Sequence, residues 1–131
     1  MATFAQDGAF RAAPSGGDFS ADGTGQYRGV KLAVGTNADT GTVVLCGAND
    51  PDFAGVLQDT PATGETATYK TRDVTWAIAG AAIVLTDELT TDAAGRFVPA
   101  TTGQFIVGRP VSAAAASGNK FSLEIRPGGI K

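Results

Sequence analysis

Residues 74–100 read VTWAIAGAAIVLTDELTTDAAGRFVPA and hold the single Trp of the chain. Val74, Trp76 and Ile78 alternate with Thr75, Ala77 and Ala79, the period of two that puts successive side chains on opposite faces of a strand. Trp76 is expected in the core. Gly80 breaks the pattern where the backbone must bend, and the apolar run Ala81–Leu85 predicts a second strand. Asp87, Asp92 and Gly95 punctuate a polar link before Phe97, Val98 and Pro99. The unit is expected to form the centre of a small barrel.

The same reading extends outward in both directions. Val30, Leu32 and Val34 alternate with Lys31 and Ala33, and Thr42–Cys46 follows the turn GTNADTG at 35–41, so these two segments predict a hairpin. Further strands are predicted at Phe53–Gln58, Thr66–Lys70 and Gln104–Ser112, where Gly108 and Pro110 suggest a bulge or an edge. Phe121, Leu123 and Ile125 alternate with Ser122, Glu124 and Arg126, and this strand with Gln104–Ser112 predicts a second hairpin. Ala113–Ala116 could hold one helical turn in the link between the last two strands. Strand signals every eight to twelve residues, with no helical stretch, predict an all-β fold: a small closed or partly open barrel of short antiparallel strands over residues 28–131.

Residues 1–27 have no period of either kind. Phe4, Phe10, Phe19 and Tyr27 stand apart among Gly, Ser, Asp and Ala, with turn signals at 15–18 and 22–25. Two readings stand: a partly disordered terminus, or an extended arm that docks its aromatic residues on a partner or a neighbouring subunit. Deleting residues 1–26 is expected to leave the barrel folded.

The composition restricts function. The 131 residues fit one domain; 43% are hydrophobic and 18% charged, which excludes a wholly disordered chain. The net charge is −3 and the ten Lys and Arg are scattered, so the electrostatic footprint of a nucleic-acid binder is missing. The longest apolar run, Trp76–Leu85, is ten residues, against roughly 20 for a membrane helix. MATFAQDGAF carries neither the basic region nor the apolar run of a secretory signal. The chain is expected to be soluble and made in a cytoplasm, with neither nucleic acid nor membrane as a partner.

With no His and one Cys, the sequence excludes Ser-His-Asp and Cys-His catalysis and any intrachain disulfide. Cys46, beside Leu45, reads as a buried structural thiol. Asp50 and Asp52, and Asp87, Glu88 and Asp92, could offer oxygen ligands to Ca²⁺. They lack the spacing of an EF-hand, and Asp is a turn former in its own right. The segment from Gly103 to Pro110 has the glycine spacing of a P-loop without its Lys and Ser/Thr. No catalytic residue, metal ligand or cofactor is assigned, and the protein is read as a non-enzyme.

The segments Tyr27–Leu32, Gly41–Leu45, Ala54–Glu65 (AGVLQDTPATGE), Ala79–Ile83 and Leu89–Arg96 together resemble a family of small β-barrel capsid decoration, or cement, proteins of tailed phages. The likeness spans about residues 27 to 127 and rests most on GVLQ…P…GE and on GAAI…LT.DA.GR. It departs from the family at Leu85-Thr86-Asp87, where a Gly is expected before the Asp. A recombinase label sometimes attached to such chains fails here for want of a P-loop. The resemblance implies a virion protein on the outer capsid surface, a homotrimer that bridges neighbouring major capsid protein subunits and braces the shell against internal DNA pressure. Phe4, Phe10, Arg11, Phe19 and Tyr27 are then the expected capsid or subunit contacts.

A second reading is a carbohydrate-binding or adhesion module on the particle surface, which requires Trp76 to be exposed as a stacking platform. A small hydrolase using Asp pairs ranks behind both, for want of a base, nucleophile or metal constellation.

Overall fold

The computed structural model describes residues 9–34 and 41–131. Phe4 and most of the turn read at 35–41 lie outside them. Among the described residues there are ten strands and no helix. β1 (Phe10–Pro14), β2 (Gly29–Val34), β3 (Gly41–Leu45), β4 (Gly55–Leu57) and β5 (Thr66–Lys70) form one antiparallel sheet in the order β1-β5-β4-β2-β3. β6 (Asp73–Ile78), β7 (Leu89–Thr91), β8 (Phe97–Pro99), β9 (Phe105–Pro110) and β10 (Lys120–Ile130) form the second, in the order β6-β10-β9-β7-β8. The all-β expectation holds, but the strands do not close into a barrel. Each sheet curls until its edges touch at one isolated bridge, Ser15 with Val43 in the first and Ala79 with Phe97 in the second. A single bridge leaves the rest of each edge outside the ladder.

Both predicted hairpins form. β2 pairs β3 from Val30 opposite Leu45 to Val34 opposite Gly41, and β9 pairs β10. In β10, Phe121, Leu123 and Ile125 are buried as their alternation requires. The bulge lies in β10 between Ile125 and Gly129, not at Gly108. Gly108 serves another purpose: a Cβ there would collide with the Glu124 carbonyl, so its absence lets β9 and β10 approach.

Trp76 is not in the core. It is 49% exposed, while Thr75 and Ala77 face inward. The register explains the phase: Ala77 lies opposite Phe121 and Thr75 opposite Leu123. Residues directly opposite in a ladder share a face, so the large side chains of β10 fill the interior and leave room only for small ones on β6. Trp76, opposite Ser122, falls on the outer face.

Ala81–Leu85 is not a strand either. Ile83 alone is buried there, bridging Ala114 by backbone hydrogen bonds in both directions, while Val84 and Leu85 are exposed. The Asp87 carboxylate accepts from the Val84 N–H at 2.9 Å and folds the segment into a turn. Conversely, the supposed polar link contains β7, whose three residues are all buried. Of its two polar side chains, the Thr91 hydroxyl donates to the Gly47 carbonyl at 2.8 Å, while the Thr90 hydroxyl is buried without a hydrogen-bond partner among the described residues. Ala113–Ala116 holds no helical turn.

The core has two parts. Val30, Val43, Leu57, Ala67, Tyr69 and Phe19 pack within the first sheet. The second cluster centres on Phe97, Phe121, Leu89 and Ile83 and takes Val56 from β4. Phe53 meets Phe97 edge-on at 6.2 Å, and Phe97 meets Phe121 at 6.4 Å, so a file of three rings ties the two halves together.

Candidate functional site

The expected contact residues do not form one surface. Phe10 is 46% exposed on β1, with the Lys70 ammonium 5.3 Å from its ring centroid. Arg11, its neighbour, is exposed opposite Tyr69. Phe19 is buried: its ring sits against Gly17 and Gly25, where any Cβ would strike it. Residues 10–14 pair along the whole of β5, and the Ser15 N–H donates to the Glu65 carbonyl at 2.8 Å, so this part of the chain is an edge of the first sheet and not a free arm.

Tyr27 marks a different place. With φ of 64°, it lies in the left-handed region that non-glycine residues seldom adopt. Its N–H donates to Leu57 at 2.7 Å and its carbonyl accepts from Ile78 at 3.0 Å, so both sheets hold it. Beside it opens a cavity of about 430 Å³ where the 23–28 turn, the β7–β8 turn and the start of β10 meet. Arg28, Arg96 and Lys120 contribute its charge, and Tyr27, Gln26 and Ile78 its walls.

Each cation is held differently. Arg28 spends its two terminal nitrogens on carbonyls, Nη1 to Ala94 at 3.1 Å and Nη2 to Gly23 at 2.6 Å, and its Nε is buried without a hydrogen-bond partner. Burial, and then the nearby Arg96 charge, lower the Arg28 pKa from its ordinary value. Arg96 donates from Nε to Asp92 at 3.0 Å and from Nη1 to the Ser117 hydroxyl at 3.2 Å. Asp92 also accepts the Ala94 and Arg96 N–H groups at 2.9 Å, which shapes the β7–β8 turn. Lys120 has no carboxylate partner among the described residues; its ammonium lies 5.5 Å from the Tyr27 ring centroid and 5.0 Å from that of Trp76. The site thus sets three cations against one carboxylate, in a chain whose net charge is −3. Positive-φ Tyr27 and the two Arg residues, 68 positions apart in sequence, carried no motif that would have marked the site.

Of the carboxylates considered for Ca²⁺, Asp50, Asp87 and Asp92 accept backbone N–H groups within turns, and Glu88 pairs with Arg109 at 3.1 Å. Asp50 accepts from the Gly47 N–H at 2.8 Å, the Asp52 N–H at 3.0 Å and Lys31 Nζ at 2.8 Å. Among the described residues, no group of three or more His, Cys, Asp or Glu could hold a metal ion. Cys46 is buried, and burial pushes its thiol up to about 12.

These features define an all-β module of two interlocked antiparallel sheets with a basic, aromatic-rimmed cavity on one side. Its fold is similar to a solved structure, the head fiber gp8.5 N base in bacteriophage phi29, with a TM-score of 0.70 and 21% identity over 93% of this chain and 97% of that one. No family model and no curated protein matches the chain.

Proposed function

We propose that the protein is a non-enzymatic structural component of a phage virion, mounted on the outside of the head through contacts with the major capsid protein. The observation that carries this reading is the likeness of fold to a phage head fiber base across nearly the full length of both chains. The resemblance to capsid decoration proteins points the same way. Leu32, Val34, Val84 and Leu85, about half exposed or more, are apolar side chains available to a protein partner. Trimerisation would let several weak contacts act together on a repeating lattice. Purified protein incubated with expanded, undecorated heads should bind saturably, at a copy number fixed by the lattice. Unsaturable or absent binding sinks the reading.

A second reading, a carbohydrate-binding or adhesion module displayed on the particle, is favoured by one observation. Trp76, which that reading requires to be exposed, is 49% exposed, with the Lys120 ammonium 5.0 Å from its ring centroid. The two readings are compatible, since one surface can hold the head while another faces outward.

A further inference from the structure

We infer that the cavity between Arg28, Arg96 and Lys120 binds an anionic sugar residue, one bearing a carboxylate or a sulfate. The inference rests on the adhesion reading above and is independent of attachment to the head. The cations come first. Two guanidinium groups that repel each other and an ammonium with no acidic partner surround one cavity, and Asp92 alone cannot balance them. Like charges gathered in a concave, partly desolvated space favour an incoming anion.

The donors left over are also suited to one. Arg28 contributes charge rather than a free donor, because its terminal nitrogens are bonded to carbonyls and its Nε is closed off from solvent. Among the described residues Arg96 Nη2 makes no hydrogen bond, and Lys120 rests against two rings. Donors from these two separate side chains match an oxyanion with two or three oxygens.

The rim supplies the second half of the recognition. Tyr27 and Trp76 flank Lys120, and an aromatic face beside a charged pocket suits the apolar C–H face of a sugar whose acid group enters the cavity. An acidic peptide would use the cations but not the two rings on either side of Lys120, so the saccharide is the better fit. A cavity of about 430 Å³ lies within the range of small-ligand sites.

The test uses the full chain and follows Trp76 fluorescence, with calorimetry as the second readout. The probes are a tetragalacturonate, a sulfated tetrasaccharide, a neutral tetrasaccharide, hexaglutamate and sodium sulfate. Saturable binding of either anionic tetrasaccharide, at least about tenfold tighter than the neutral one and weakened by salt, is expected. Lys120→Glu should weaken it by about tenfold or more. Lys120 is exposed, so this variant should fold, which its melting curve checks. Equal binding of the neutral sugar, tighter binding of hexaglutamate, sulfate alone binding as well as the sugars, or no binding each overturns the inference. Head binding by wild type and Lys120→Glu, measured in parallel, shows separately whether the mounting reading stands.

Discussion

The Lys31 Nζ lies 2.8 Å from Oδ2 of Asp50, whose side chain is only 4% exposed, while that of Lys31 keeps 31% of its surface. The pair sits where β2 passes the turn after β3, and it holds that turn against the second sheet, because the Asp50 N–H also donates to Thr91.

Burial would raise the Asp50 pKa, but the hydrogen bonds from Lys31, Gly47 and Asp52 outweigh it and the net shift is downward. A carboxylate whose folded pKa is depressed adds stability above its unfolded value of about 3.9, and that stability is lost as pH falls through the lower folded value. Urea unfolding at pH 6 and pH 3 should therefore show a smaller loss for Asp50→Asn than for wild type. Asp50→Ala should cost about 2–3 kcal/mol at pH 6.

Trp76 and Phe97 should behave oppositely to what their sizes suggest. Phe97 is fully buried at the centre of the ring file, and Phe97→Ala should cost about 3–5 kcal/mol. Trp76→Ala should cost about 1 kcal/mol, since half of the side chain already meets water. Acrylamide should quench the native Trp emission readily; an emission shielded until denaturation would contradict the outward phase of β6.

Cys46 should be inert in the folded protein. With a pKa near 12, its thiolate fraction at pH 8 is about a thousandfold below that of a free cysteine. A chromogenic disulfide reagent should therefore react only as urea unfolds the chain, and a fast native reaction would refute the buried setting.

Deleting residues 1–26 should destabilise the fold rather than trim an arm from it. The deletion removes β1 from its place beside β5 and takes Phe19 out of the first core. Phe19→Ala alone should cost about 3 kcal/mol and lower Tm by about 10 °C. A truncated protein that melts like the full chain would show that the edge strand contributes nothing.

Period-two patterning was legible wherever it was long and clean. It marked β2, β3, β5 and β10 and both hairpins, because alternation is a local property of the chain. It failed at β7, where three residues are too few to show a period and Thr90 and Thr91 read as polar. It also failed at Ala81–Leu85, where a turn made by Asp87 overrode an apolar run. The cavity was not legible at all. Arg28 and Arg96 meet only because both sheets converge on Tyr27.

Left to itself, the sequence determined that the chain would be all-β, that its single thiol would be buried, and that its aspartates would serve turns. Those outcomes depend on residue type and near neighbours. Tertiary structure decided which face of β6 turns inward, because the phase of a strand depends on what stands opposite it, and Phe121 had already taken the space across from Ala77. It also turned the supposed arm into an edge strand and gathered three cations around one cavity, since long-range strand pairing alone sets what lies beside what.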